Sequence, residues 1–132
     1  MTRTFAHRHG LGPLPTEDPN LVNQDPLNKY NEWQRDFRLG HLDLPLLRYS
    51  VKESSCIQGL VITHLDQVPE KKLYCSRYDG LGNRSIRDLA CCFDPKPVME
   101  TFDSVPELLA SELGLPVMAR SSGENDNWVM DL

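Results

Sequence analysis

Between Asp43 and Asp79 the spacing of apolar residues changes twice, and that change limits the fold more than any other feature of the chain. Leu44, Leu47 and Val51 recur at helical spacing behind Asp43. Asp43 can accept backbone N–H groups as an N-cap, with Pro45 in the first turn where a missing N–H costs little. The pattern then gives way to the unbroken run Gly59-Leu60-Val61-Ile62, which predicts a buried strand over 59–65. From Lys72 to Tyr78 apolar and polar residues alternate, as in a half-buried strand, before a turn at Asp79-Gly80. A helix over 43–54 followed by strands over 59–65 and 71–78 excludes an all-helical bundle.

The last third is similar. Arg84 to Cys92 reads as a short helix and Pro97 to Thr101 as an edge strand. Ser104 stands at an N-cap position, with Pro106 in the first turn and Glu107 at the capping-box position. Leu108, Leu109 and Leu113 give that helix an apolar face, and Gly114 ends it. Residues 115–119 read as a strand, Ser121-Ser122-Gly123 as a loop, and Asn127 to Asp131 as a closing strand. With a further short strand over 3–9, residues 1–132 make one α/β (mixed α+β) domain. Its mixed sheet includes 59–65, 71–78 and 115–119, with flanking helices at 43–54 and 104–113.

Residues 10–40 stand apart, with Pro13, Pro15, Pro19 and Pro26 among several Asn and Asp residues. An irregular stretch this long inside a small domain is usually functional or disordered. We read it as a substrate-loop region, explained by ligand contacts rather than packing.

Composition removes several classes. The net charge of -5, from 14 basic and 19 acidic residues, argues against a sequence-independent grip on nucleic acid. No apolar run approaches the roughly 20 residues that span a bilayer. Met1-Thr2-Arg3-Thr4-Phe5 has no apolar signal region, so a cytoplasmic protein without membrane contact is expected. Cys56, Cys75, Cys91 and Cys92 include an adjacent pair of poor disulfide geometry and no C-x-x-C pair. They read as reduced core thiols. His7 and His9 share one face of a strand, but further ligands for a metal are not found, so no metal site is expected.

The polar end of the buried run, Thr63-His64-Leu65-Asp66, carries the chemistry. A carboxylate fixed at a strand end can accept two hydrogen bonds, from N1–H and the 2-amino group of guanine, a pair that adenine does not offer. Such charge-assisted bidentate bonds are strong and geometrically selective. Read alone, Asp66 at a strand end is more often a cap for the next turn, Arg35 and Arg38 could be solvated surface charges, Trp33 a lid over apolar surface, and Ser121-Ser122-Gly123 an ordinary turn.

Four segments in order carry a family resemblance. Arg8-His9-Gly10-Leu11-Gly12-Pro13-Leu14-Pro15-Thr16-Glu17 resembles the R-x-G-x-G-P-x-P-T-E segment of the adenylosuccinate synthetases. Arg35 to Asp43 resembles that family's arginine-rich loop ending in G-W-L-D. Gly59 to Asp66 resembles its G-x-x-x-T-K-L-D guanine segment, and Ser121-Ser122-Gly123 its late S-T-G loop. The resemblance implies the C-terminal part of a GTP-dependent ligase that joins aspartate to IMP in purine biosynthesis, with a partial form of that enzyme's P-loop NTPase-like fold.

The resemblance also implies residue roles. His64, Leu65 and Asp66 would hold guanine from one side, and Ser121, Ser122 and Gly123 from the other through backbone groups. His9 and Arg35 match positions at the IMP nucleotide, Arg35 bridging it to aspartate as a guanidinium fork can. Asn31, Glu32, Trp33, Gln34, Arg35, Asp36 and Phe37 cover the aspartate-binding loop. GTP as substrate and Mg2+ belong to the full-length enzyme, and neither is expected to be held by this chain alone. Purine nucleotides, an N-terminal synthetase half and a homodimer mate are the implied partners.

Departures accompany the match. His64 stands where lysine is common, so a ring that could stack replaces an aliphatic stem. Phe37 replaces an arginine, Glu32-Trp33-Gln34 replaces a T-T-G run, and Glu124 stands where proline usually follows S-T-G. These changes imply a divergent branch of archaeal or phage type. No G-x-x-x-x-G-K loop opens a helix, and Pro13 denies Gly10-Leu11-Gly12 the N–H groups of a phosphate cradle. No catalytic residue is therefore assigned. Two readings stay open: an enzyme part that works with an N-terminal half, or a non-catalytic remnant that binds a purine nucleotide or a protein.

Overall fold

The computed structural model describes residues 1–22, 24, 27–80, 95–123 and 128–130. In chain order its strands and helices are β1 (Thr2–Arg3), β2 (Ala6–His9), β3 (Phe37–Gly40), β4 (Leu42–Asp43), α1 (Leu44–Glu53), β5 (Leu60–Thr63), β6 (Leu73–Asp79), β7 (Lys96–Thr101), α2 (Val105–Leu113), β8 (Val117–Ser121) and β9 (Trp128–Met130). A one-turn 3-10 helix, Leu65–Gln67, follows β5.

Asp43 shows how local chemistry sets an element. Its Oδ1 accepts the Leu46 N–H at 2.9 Å, so α1 starts where the cap and Pro45 place it. Its buried Oδ2 accepts the Tyr78 hydroxyl, which ties the start of α1 to β6. Gly114 ends α2 in the left-handed region, φ +64°, and its N–H donates to the Ala110 carbonyl at 3.0 Å. Ser104 occupies the N-cap of α2, but its side chain makes no capping bond, so the expected capping box does not form.

The strands form three sheets rather than one. The first has the order β1-β5-β8-β9, parallel from β1 to β8 and antiparallel at β9. The second pairs β2 with β3 antiparallel, and the third has the order β4-β6-β7. The expected strand over 71–78 is therefore present but lies in a different sheet from 59–65 and 115–119. The parallel pairing of β4 with β6, reinforced by the Asp43–Tyr78 bond, holds it there. The single strand expected over 3–9 is broken where Thr4 and Phe5 turn inward, and its halves join different sheets. The described residues between 10 and 36 form no helix or strand, and β3 follows them.

One apolar cluster joins the first and third sheets to α1 and α2: Leu42, Leu44, Leu60, Ile62, Tyr74, Val105 and Leu109. Truncating a fully buried leucine such as Leu44 or Leu109 to Ala costs about 2–5 kcal/mol. Cys75 is buried beside it; desolvation and then the Asp43 charge push its thiol up to about 12, so it packs as an inert side chain. Cys56 is exposed, against the expectation of a core thiol, because it lies past the end of α1. Cys91, Cys92 and the expected helix over 84–92 lie outside the described residues. Among the described residues no helix is long and apolar enough to cross a membrane.

Candidate functional site

Parallel pairing of β5 with β8 brings their carboxyl ends to the same edge of the sheet, the usual place for ligand loops in open α/β sheets. Asp66 follows β5 and Gly123 follows β8. The Gly123 N–H donates to Asp66 Oδ1 at 2.7 Å, joining loops 57 residues apart. Gly123 sits at φ +81°, a conformation that L side chains rarely adopt. Asp66 is exposed, and a carboxylate that accepts one N–H keeps lone pairs for further donors. Ser121 is buried and Ser122 half-buried in the strand end that carries Gly123.

The turn before Asp66 is built from side chains as well as backbone. His64 adopts φ +62°, and its carbonyl accepts the Thr4 hydroxyl at 2.8 Å. Its Nδ1 lies 2.8 Å from Thr63 Oγ1 and its ring meets the Phe5 ring edge-on, centroids 5.6 Å apart. The imidazole is half-buried and rests against Phe5 and Thr63.

The second expected cluster forms around Gly10. The strands β2 and β3 place His9 opposite Phe37, with ring centroids 4.8 Å apart, and Arg8 opposite Arg38. A Cβ on Gly10 would stand 3.0 Å from the Gln34 carbonyl and 3.8 Å from the Arg35 Cβ, so the two loops touch there. His9, Arg35 and Phe37 therefore share one neighbourhood. Asn31 shapes the loop: its Oδ1 accepts the N–H groups of Trp33 and Gln34 at 3.1 and 2.7 Å, and its carbonyl accepts that of Arg35 at 2.8 Å. The loop leaves Glu32, Trp33, Gln34, Arg35 and Asp36 exposed. Trp33 is 93% exposed, so it is no lid over apolar surface.

A line of rings connects the clusters. His64 meets Phe5, Phe5 meets His7, and His7 and His9 both meet Phe37, at centroid distances from 4.8 to 6.4 Å. Partial desolvation, then Arg3 and the neighbouring His9 and His64, hold His7 below the ordinary imidazole value. Among the described residues no three His, Cys, Asp or Glu side chains converge to hold a metal ion.

The sequence did not reveal the role of Arg38. Its Nη1 donates to the carbonyls of Gly10 and Gly12 at 2.9 and 2.8 Å, while Nε and Nη2 grip Glu17. Arg8 Nε adds a bond to the Leu11 carbonyl at 3.0 Å. The two arginines thus fold the glycine loop around their own charges. Nor did it reveal that buried His41 pairs with half-buried Asp18, Nε2 to Oδ2 at 3.0 Å. The alternating charge at Arg8, Glu17 and Arg38 was the available signal for the clamp.

No protein-family model matches the chain. Adenylosuccinate synthetase of Thermotoga maritima is 35% identical over 140 aligned residues, covering 92% of this chain and 34% of that protein. The adenylosuccinate synthetase of Cytophaga hutchinsonii is 31% identical over 151 residues, covering 92% of this chain and 35% of that protein. A structure of fully ligated adenylosuccinate synthetase from Plasmodium falciparum superposes with a TM-score of 0.73 at 22% identity, over 98% of this chain and 38% of that one. The chain spans about a third of the length of the curated relatives it matches. On sequence over nearly its whole length and on its fold, this chain belongs to the adenylosuccinate synthetase family, as a stretch of it.

Proposed function

We propose that this chain is the C-terminal, guanine- and substrate-side part of an adenylosuccinate synthetase-like ligase, which joins aspartate to IMP using GTP. The observation that carries the reading is the 2.7 Å bond from the Gly123 N–H to Asp66 Oδ1. It aims a carboxylate held at two strand ends, and its remaining lone pairs match the N1–H and 2-amino donors of guanine. His64, Leu65, Ser121 and Ser122 shape the rest of that site. His9 and Arg35, meeting at Gly10, face the purine monophosphate, and residues 31–37 form the aspartate loop.

Phosphoryl transfer is mostly positioning and electrostatic stabilisation of phosphates. With no glycine-rich phosphate loop in the sequence, those tasks fall to an N-terminal half of the enzyme. Mg2+ fits no cluster among the described residues, and no step here runs through it. The full exposure of Trp33 in the aspartate loop favours a second reading, a non-catalytic module that binds a purine nucleotide or a protein. Calorimetric titration with GDP and ADP tests the guanine assignment. GDP binding about tenfold or more above ADP supports it, and equal affinity for both overturns it.

A further inference from the structure

Arg35 stands at φ +61°, a left-handed conformation that is costly for a residue other than glycine, asparagine or aspartate. Such backbone persists only where its surroundings fix it, and it gathers at functional sites. Both sides of Arg35 are fixed. On the N-terminal side the loop closes on itself: the Arg35 N–H donates to the Asn31 carbonyl at 2.8 Å, and the Asn31 N–H to the Arg35 carbonyl at 3.4 Å. On the other side the Gly10 N–H donates to the Asp36 carbonyl at 2.9 Å.

Asn31 is the centre of that closure. Its Oδ1 accepts the Trp33 and Gln34 N–H groups, and its Nδ2 donates to Gln34 Oε1 at 3.3 Å. The amide is thus spent on its own loop. Arg35 is exposed, and its stem lies over Gly10, where an added Cβ would stand 3.8 and 3.9 Å from Arg35 Cβ and Cγ. Arg8 and Arg38 instead turn their guanidinium groups onto loop carbonyls and Glu17. Backbone conformation sets the direction in which Cβ leaves the loop, so whatever holds φ at +61° also aims the Arg35 side chain.

We propose that Asn31 is a positioning residue for Arg35: it touches no substrate and holds the loop in the conformation from which Arg35 reaches the purine monophosphate beside His9. The proposal rests on the assignment of Arg35 to that nucleotide made above.

NMR titration with IMP of the wild-type chain, Asn31→Ala, Asn31→Asp and Arg35→Ala tests it. The wild type should bind IMP saturably and show the strong N–H to Hα NOE within Arg35 that marks left-handed backbone. Asn31→Ala should lose that NOE and weaken IMP about tenfold, because affinity falls with the fraction of molecules in the competent conformation. Asn31→Asp keeps the acceptor oxygen and should restore both. Arg35→Ala should remove IMP binding.

If Arg35→Ala weakens IMP and Asn31→Ala does not, this proposal falls and the nucleotide assignment stands. Weaker IMP binding in Asn31→Ala with the Arg35 NOE kept, or no recovery in Asn31→Asp, also overturns the proposal. No saturable IMP binding by the wild type, or full binding by Arg35→Ala, overturns the assignment and the proposal together.

Discussion

The guanidinium of Arg38 grips the Glu17 carboxylate with two nitrogens, Nε to Oε1 at 2.8 Å and Nη2 to Oε2 at 2.5 Å. The third nitrogen holds the Gly10 and Gly12 carbonyls, so one side chain fixes both ends of the glycine-proline loop. The pair lowers the Glu17 carboxyl and raises the Arg38 guanidinium from their ordinary values, chiefly through their mutual hydrogen bonds. Lysine offers a point charge without the fork. Arg38→Lys should therefore cost about 1–2 kcal/mol, since bonds to charged groups are worth about 1.5–3 kcal/mol when shielded and less when exposed. Urea melts give the cost, and amide exchange at Gly10, whose N–H donates to the Asp36 carbonyl, should quicken. Unchanged exchange there would mean that Arg38 does not order the loop.

Two glycines separate crowding from backbone strain. A Cβ on Gly40 would stand 2.8 Å from the Thr16 carbonyl oxygen, which is backbone and cannot swing away. A Cβ on Gly114 meets nothing within 4 Å, so only the φ of +64° opposes it. Gly40→Ala should cost about 2–3 kcal/mol as overpacking, and Gly114→Ala about 1 kcal/mol. Paired urea melts check the order, and a reversal would show that Thr16 yields.

Asp43 gives a pH dependence of definite sign. Burial raises its carboxyl above the ordinary value, against the Tyr78 hydroxyl and the Leu46 N–H, which lower it. The folded state therefore holds this proton more tightly than the unfolded chain does. Asp43 adds stability as pH falls from above its raised folded value toward its unfolded value near 3.8. Removing the hydroxyl leaves a buried carboxylate with one partner fewer. Tyr78→Phe should cost about 1–3 kcal/mol at pH 7, with the deficit narrowing toward pH 4 as Asp43 takes up a proton. Urea melts at both pH values decide it; a deficit that widens on acidification would refute the assignment.

Asp66→Asn keeps the size of the side chain but turns a double acceptor into a mixed donor and acceptor. It should weaken GDP by about 1–3 kcal/mol, roughly tenfold or more, and leave ADP unaffected. Calorimetry on both nucleotides is the measurement. No change for GDP would reduce Asp66 to a strand-end residue bonded to Gly123.

The purified 132-residue chain should not form adenylosuccinate from IMP, aspartate and GTP. Adding the N-terminal part of a relative such as the Thermotoga maritima synthetase should restore turnover. Turnover by the chain alone, with contaminating synthetase excluded, would contradict the proposal.

What the sequence determined by itself is local in origin. Asp43 reaches an N–H only three residues away, so the start of α1 could be read from neighbouring residues alone. Leu60 to Ile62 form an apolar run whatever they pack against, and Gly114 ends a helix because few other residues adopt its φ cheaply. The four ordered segments also placed the chain in its family. Periodicity, however, reports that a strand is buried and not which strand lies beside it. The tertiary structure decided that β6 leaves the sheet of β5 and β8, and that Cys56 and Trp33 face solvent. It also decided that Arg38 closes on Glu17, that His41 is buried on Asp18, and that Gly123 meets Asp66 across 57 residues of chain. Each of these depends on how distant segments close on one another, and loop closure leaves no periodic trace in the residues that it joins.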